Sequence, residues 1–161
     1  MRKIAAIDIG SNAVRMLICY VLMNEDEYFF QKNQYIRLPL RLGEDSFITG
    51  SISDDKINTL SNALLSFKHT MKVHGVEHYQ IYATSALRDS KNSNDVINQI
   101  YDLTGMKIKL IDGLKEAKLI ALGNPIEMLD FDKTYLYVDV GGGSTESVSY
   151  THLRAHETNS N

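Results

Sequence analysis

Apolar positions in the first forty residues follow a pattern that is typical of strands. A compact apolar run covers Ile4–Ile9, a second run covers Ala13–Leu22, and aromatic and β-branched residues cluster within Tyr28–Arg37. A Gly-Ser-Asn break separates the first two runs, which predicts a β-hairpin. Pro39 indicates that strand pairing stops after the third run or lies at a sheet edge.

The next segment has the three- and four-residue spacing of a helix with one apolar face. Ser53 is predicted to be the N-cap of this helix, and Gly75 is predicted to end it. The residues expected on the apolar face are Ile57, Leu60, Leu64, Phe67 and Met71.

Beyond Gly75 the pattern alternates between short strands and short helices. Helices are predicted at about Asp95–Leu103 and at Lys115–Leu122. Strands are predicted at Tyr79–Thr84, Met106–Ile111 and Thr134–Val140. Three strands followed by alternating helix and strand predict a layered α/β domain with a mixed sheet, in which strands 1–3 are antiparallel.

Turn residues at 123–125 (Gly-Asn-Pro) predict a domain edge. Residues 1–125 then form an N-terminal domain, and residues 126–146 form the first hairpin of a second domain of which the chain carries only the start. Residues 147–161 lack clear alternation, and the string SYTHLRAHET resembles translated sequencing-adapter read-through. We therefore interpret residues 147–161 as a non-native tail and leave them out of the predicted fold.

Composition narrows the class of protein. The 161 residues are 43% hydrophobic and 23% charged, which is the balance of a folded globular domain. Every apolar run is shorter than the roughly 20 residues that a membrane span needs. The net charge of −3 argues against a nucleic-acid binder, and the single cysteine, Cys19, suits a reducing compartment. These observations predict a cytoplasmic protein without nucleic-acid or membrane partners.

A glycine turn after the first strand is the first candidate for chemistry. The residues Asp8-Ile9-Gly10-Ser11-Asn12 place a tight turn after a strand, and such turns expose backbone N–H groups that bind anions. Ser11 and Asn12 add side-chain donors, and Arg15 follows nearby. Asp8 is a candidate ligand for a divalent cation or a water molecule. The same residue types also favour an ordinary hairpin turn, so this turn alone does not indicate a function.

A second turn, from Asp139 to Glu146, is more specific. It contains three consecutive glycines, each of which costs about 1 kcal/mol relative to alanine and is tolerated where the backbone must approach a ligand. The flanking carboxylates of Asp139 and Glu146 are suited to Mg²⁺, which prefers oxygen ligands. This pattern favours a phosphate- or metal-binding turn over a flexible loop.

Five motifs in a fixed order resemble one protein family. They are DIGSNAVR at 8–15, RLGE at 41–44, ATSALR at 83–88, EAKLI at 116–120 and the turn at 139–146. This series resembles the exopolyphosphatase / guanosine pentaphosphate phosphohydrolase family of the actin-like ATPase and sugar-kinase superfamily. The matches are spread over residues 4–146. The resemblance implies an actin-like ATPase (ribonuclease H-like) domain.

The resemblance also implies a reaction and residue roles. Family members hydrolyse the terminal phosphate of polyphosphate or guanosine pentaphosphate with a divalent metal, normally Mg²⁺. The implied catalytic residues are Glu116 as the base that activates water, Arg88 as a phosphate contact, and Asp139 and Glu146 as support for metal or water, with Asp8 as a further metal candidate. The implied phosphate-binding residues are Gly10, Ser11, Asn12, Arg15, Thr84, Ser85, Gly141, Gly142, Gly143, Ser144 and Thr145.

Other interpretations stay open at this point. An ATP-dependent kinase of the same superfamily shares the glycine turns, although the ATSALR and EAKLI motifs argue against it. An inactive phosphate-binding fragment also fits, because family members close the cleft with a second domain. Taken singly, Glu116 and Arg88 are also compatible with ordinary surface residues. The choice between polyphosphate and guanosine pentaphosphate, and a homodimer of the full-length form, are left undecided.

Overall fold

A computed structural model describes residues 2–24, 27–122, 135–140 and 145–150 of the chain. Its elements, in chain order, are β1 (Arg2–Ile9), β2 (Val14–Asn24), β3 (Glu27–Leu38), α1 (Leu42–Thr49), α2 (Asp54–His74), β4 (His78–Ala83), α3 (Ser85–Arg88), α4 (Ser93–Thr104), β5 (Lys109–Leu110), α5 (Gly113–Leu122), β6 (Tyr135–Val140) and β7 (Thr145–Tyr150).

Five of these strands form one mixed sheet in the order β3-β2-β1-β4-β5. Strand β2 is antiparallel to both β1 and β3, whereas β4 is parallel to β1 and β5 is parallel to β4. This topology confirms the predicted α/β fold, with three antiparallel strands followed by alternating helix and strand. Strands β6 and β7 form a separate antiparallel pair.

Helix α2 matches its prediction at both ends. The Ser53 hydroxyl accepts a hydrogen bond from the Lys56 backbone N–H, and Gly75 ends the helix in a left-handed conformation with φ of 67°. All five residues of the predicted apolar face are buried. They pack with the buried residues of β1, β2, β4 and α4 into one core on one face of the sheet. Across the described residues, every helix is too short or too polar to cross a bilayer.

One predicted strand differs from the structure, and two short helices of the structure were not predicted. The strand expected at Met106–Ile111 shrinks to two residues, because its alternation reflects burial of Met106 and Ile108 in the core rather than a long ladder with β4. Helices α1 and α3 were not predicted. Helix α3 has only four residues, and α1 begins after Arg41 without a side-chain cap, so neither carries a clear local signal.

The prediction that the fold ends at Glu146 needs a correction. Ser147–Tyr150 pair with β6 as part of β7, although this segment was excluded from the predicted fold. Its backbone is ordered by pairing with β6, which alternation within the segment could not reveal. The domain edge at 123–125 lies outside the described residues, so the domain bounds and the non-native origin of the tail stay predictions.

Asp45 in α1 holds the start of α2. Its carboxylate accepts hydrogen bonds from the Ser53 hydroxyl and from the Ser53 backbone N–H, the latter at 3.0 Å. The bond from the Ser53 hydroxyl is the main reason that the pKa of Asp45 is lowered from its ordinary value. A carboxyl with a lowered folded pKa stabilises the fold above its unfolded pKa, and this contribution is lost as the pH falls through the folded pKa.

The effect of Asp45→Asn on stability is therefore expected to depend on pH. At pH 7 the substitution should lower the free energy of unfolding by about 1 kcal/mol, because it weakens charge-assisted hydrogen bonds. This difference should shrink as the pH falls below the ordinary Asp value of 3.8. Urea unfolding across this pH range measures it, with Asp102→Asn, an exposed residue of α4, as the matched control. A difference that does not vary with pH would contradict the prediction.

Candidate active site

Three loops meet at one edge of the sheet because β1, β4 and β5 are parallel. Ile9 pairs with Ala83, and Ala83 pairs with Leu110, so the three strands end at the same level. The Thr84 N–H donates to the Ile9 carbonyl at 3.2 Å, and the Ile111 N–H donates to the Ala83 carbonyl at 3.1 Å. In α/β sheets, ligands bind outside the carboxyl ends of parallel strands. This edge is therefore the candidate site.

The turn Gly10–Asn12 lies at this edge and offers backbone donors. The Gly10 N–H is used within the turn, because it donates to the Ala13 carbonyl at 3.1 Å. The backbone N–H groups of Ser11 and Asn12 have no acceptor among the described residues. Such N–H groups in a turn after a strand form an anion-binding concavity. The phosphate-binding role of this turn stays a prediction, and these two N–H groups are its candidate donors.

The RLGE segment, for which no role was predicted, donates two backbone hydrogen bonds to this turn. The Gly43 N–H donates to the Ser11 carbonyl at 2.9 Å, and the Arg41 N–H donates to the Asn12 carbonyl at 3.0 Å. A Cβ atom at Gly43 would lie 3.2 Å from the Ser11 Cβ and 2.7 Å from the ring of Phe47. Glycine at position 43 therefore permits the close approach that fixes the turn.

Two residues that were predicted to bind phosphate, Ser11 and Ser85, are buried and contact each other. The hydroxyl oxygens of Ser11 and Ser85 lie 3.0 Å apart in a buried hydrogen bond, and the neighbouring Thr84 is also buried. This bond joins the first turn to α3 across 74 positions of sequence. The Ser11 and Ser85 hydroxyls thus hold the two loops together, and their backbone groups are the better candidates for phosphate contact.

Asp8 and Arg15 form an ion pair beside the turn. The two residues pair across β1 and β2, and the Arg15 Nη1 lies 3.1 Å from the Asp8 Oδ2. The side chain of Arg15 is 47% exposed and that of Asp8 is 43% exposed. Ion pairs at this exposure contribute at most about 1 kcal/mol to stability. Both groups are accessible to a ligand bound at the turn.

Arg88 is held in a fixed orientation at the end of α3. Its Nε and Nη2 donate to the two carboxylate oxygens of Asp89 at 2.9 and 3.2 Å, and its Nη1 donates to the Ile111 carbonyl at 3.0 Å. Its Nη1 also lies 3.7 Å from the Glu116 Oε2. The side chains of Arg88 and Glu116 are only 24% and 16% exposed. The interpretation of these two residues as ordinary surface residues is therefore wrong.

Asp112 fixes the turn of helix on which Glu116 lies. The Lys115 N–H donates to the Asp112 carboxylate at 2.7 Å, and the Glu116 N–H donates to the Asp112 carbonyl at 2.9 Å. Asp112 thus caps α5 in the standard way. Asp112 and Asp89 were not predicted from the sequence as supporting residues. An aspartate directly before a helix start was the available signal for Asp112.

The second turn is described only through its flanking strands. Asp139 pairs with Glu146 and Val140 pairs with Thr145, so the two acidic residues occupy directly opposed positions in the register of the hairpin. Strand β7 contacts α5, the helix that carries Glu116. Gly141, Gly142, Gly143 and Ser144 lie outside the described residues, and their roles stay predictions. The described residues contain no cluster of three His, Cys, Asp or Glu side chains that could hold a metal ion.

The sequence model of the Ppx/GppA phosphatase family matches residues 22–160. The chain belongs to this family. A bifunctional 3-dehydroquinate synthase/phosphatase from Fusobacterium nucleatum is 35% identical over 146 residues, which cover 88% of this chain and 22% of that protein. Exopolyphosphatase 2 from Mycobacterium tuberculosis is 30% identical over 160 residues, which cover 94% of this chain and 49% of that protein.

Solved structures of Ppx/GppA proteins share the fold. An exopolyphosphatase from Cytophaga hutchinsonii superimposes with a TM-score of 0.80 and 25% identity, over 95% of this chain and 48% of that one. The fold is thus the actin-like ATPase type that the sequence predicted. The chain spans about half the length of the exopolyphosphatases that it matches.

Proposed function

We propose that this chain supplies the first half of the active site of a phosphohydrolase that releases terminal phosphate from inorganic polyphosphate or guanosine pentaphosphate. The main support is the position of Arg88 and Glu116 at the same sheet edge as the turn Gly10–Asn12. The Arg88 Nη1 and the Glu116 Oε2 are 3.7 Å apart there. Membership of the Ppx/GppA phosphatase family and the exopolyphosphatase relatives support this class of reaction. The proposal includes the cytoplasmic location predicted above.

The turn and Arg88 would bind the terminal phosphoryl group. The Ser11 and Asn12 N–H groups point to an anion site, and the Arg88 guanidinium adds a permanent charge with several donors. Asp89 and the Ile111 carbonyl already orient that guanidinium, so little ordering is needed when substrate binds. In phosphoryl transfer, positioning and neutralisation of the phosphoryl oxygens supply most of the catalysis.

Glu116 would act as the general base in the proposed reaction. A water oxygen forms a bond to the terminal phosphorus while the bond from phosphorus to the bridging oxygen breaks. The water proton moves to the Glu116 carboxylate, and the shortened phosphate chain leaves with the electron pair of the broken bond. Neighbouring phosphate charge favours protonation of a carboxylate, which suits this role.

A divalent cation, normally Mg²⁺, is part of the proposal. Asp8 would hold it, together with Asp139 and Glu146 of the second hairpin. The Asp8 carboxylate is 43% exposed and lies two residues before Gly10, so it could bind an ion that also contacts the phosphate oxygens of the substrate. When bound, such an ion neutralises charge on the phosphoryl oxygens. Arg15 and the cation would then share the Asp8 carboxylate.

Phosphate release tests the proposed function. Alone, the 161-residue chain is expected to bind polyphosphate but to release little phosphate, because it spans only about half the length of its exopolyphosphatase relatives. A chimaera of this chain with the remaining half of the Mycobacterium relative should release terminal phosphate from polyphosphate or from guanosine pentaphosphate, and comparison of the two rates gives the preference. ATP-dependent phosphorylation of a small acceptor would instead support the kinase. Failure to bind either phosphate chain would contradict the proposal.

A further inference from the structure

A row of charged residues crosses the sheet beside the glycine turn. Asp8 of β1 pairs with Arg15 of β2, and Arg15 pairs with Arg37 of β3. Directly opposed residues on neighbouring strands have their side chains on the same face. The adjacent positions Ile9 and Val14 are buried in the core against the helices. The charged row therefore lies on the opposite face, where both arginines are exposed.

This row holds a cation, Arg37, that no described residue neutralises. Arg15 and Arg37 occupy directly opposed positions, and like charges in such positions destabilise a sheet. Asp8 balances Arg15 through the 3.1 Å ion pair. Among the described residues, by contrast, none forms a hydrogen bond or an ion pair with the Arg37 guanidinium. Position 37 thus carries a charge that does not help the sheet to form.

Arginine is concentrated at this edge although the whole chain has a net charge of −3. Within the described ranges, Arg2 is the one arginine at the opposite end of the sheet. The guanidinium group is suited to phosphate because its planar fork donates two parallel hydrogen bonds. Four arginines lie at or beside the sheet edge that carries the glycine turn: Arg15, Arg37, Arg41 and Arg88.

We propose that Arg37 forms a further phosphate subsite, which binds a phosphate chain one strand beyond Arg15. The inference rests on the proposed function and deepens it, because it assigns a preference for extended chains. Neighbouring strands are about 4.8 Å apart, so two strand spacings separate Arg37 from Asp8 by about 10 Å. A chain of several phosphates can reach from the turn to Arg37, whereas we expect an orthophosphate bound at the turn to be too small to contact Arg37 as well.

Arg37→Gln in the 161-residue chain tests the subsite. Titration calorimetry should show about tenfold weaker binding of long-chain polyphosphate and unchanged binding of orthophosphate. Log affinity decreases as log salt concentration increases, and the steepness of this decrease should be smaller by about one in Arg37→Gln, as for a lost phosphate contact. Lys32→Gln is the matched control. It removes the same charge from an exposed position on β3 that pairs with Cys19, farther from the turn.

Stability gives a second measurement that separates this role from a structural one. Without ligand, Arg37→Gln should leave the thermal midpoint unchanged or raise it, because the substitution removes one of two opposed cations. A lowered midpoint would indicate that Arg37 serves the fold and would overturn the subsite.

The binding outcomes distinguish the subsite from the proposed function. Equal affinity of wild type and Arg37→Gln for long-chain polyphosphate overturns the subsite and leaves the proposed function standing. An equal loss in Arg37→Gln and Lys32→Gln also overturns it, since the effect would then be general charge attraction. If the wild-type chain binds neither polyphosphate nor guanosine pentaphosphate, the proposed function fails and the subsite fails with it.

Discussion

Glu116→Gln is expected to lower the rate of phosphate release by about 10²–10⁴-fold while polyphosphate affinity stays within a few-fold of wild type. Glutamine keeps the size of the side chain and a carbonyl oxygen near Arg88, but it cannot accept a proton from the attacking water. The measurement needs the chimaera described above for turnover and the 161-residue chain for affinity. Both assays use the same polyphosphate, so the effects on rate and on binding can be compared directly.

Glu77→Gln is the matched control for this experiment. Glu77 is exposed and its backbone N–H bonds to the Lys3 carbonyl, which places it at the edge of the sheet away from the site. The same chemical change there should leave both rate and affinity unchanged. Near-normal turnover in Glu116→Gln would remove Glu116 as the base. Loss of affinity together with turnover would show instead that Glu116 serves to position Arg88.

Arg88→Lys is expected to weaken the binding of tripolyphosphate by about 10–100-fold. Arg88 holds Asp89 with two nitrogens and the Ile111 carbonyl with a third. A lysine ammonium cannot keep these contacts and also present a fork to a phosphate, although the charge is retained. Hydrogen bonds to charged groups contribute about 1.5–3 kcal/mol each, which sets the size of the expected loss.

Calorimetric titration of the 161-residue chain measures the effect of Arg88→Lys. Arg2→Lys, the same substitution at the opposite edge of the sheet, is the control and should bind as wild type does. Urea unfolding of both variants shows how much stability is lost with the Ile111 contact. Unchanged tripolyphosphate affinity in Arg88→Lys would exclude Arg88 from the phosphate site.

Local signals account for the parts of the fold that the sequence predicted well. Both ends of α2, at Ser53 and Gly75, could be predicted because helix capping depends on a few adjacent residues. The segment Met106–Ile111 was misread, because alternation reports which side chains are buried and not how far backbone pairing extends. Pairing of β7 with β6 depends likewise on a partner strand, which the residues after Glu146 do not reveal by themselves.

The candidate site was predictable as a set of residues but not as an arrangement. The motifs indicated Arg88 and Glu116, yet their 3.7 Å separation follows from the parallel register of β4 and β5, which no motif encodes. The hydrogen bond between Ser11 and Ser85 was missed for the same reason, since it joins residues 74 positions apart. Side chains that support a site through distant contacts therefore require the structure.

The parallel pairing of β1 with β4 also has a consequence for the order of folding events. A β-hairpin such as β1–β2 closes a short loop, whereas the pairing of β4 with β1 closes a long loop that contains β2, β3, α1 and α2. We therefore expect the Gly10–Asn12 turn to acquire its contacts with Gly43 and Ser85 late in folding. A phosphate ligand that binds only the completed site adds about 2.7 kcal/mol of stability at a hundred times its dissociation constant. We expect such a ligand to slow unfolding and to have little effect on the rate at which the chain folds.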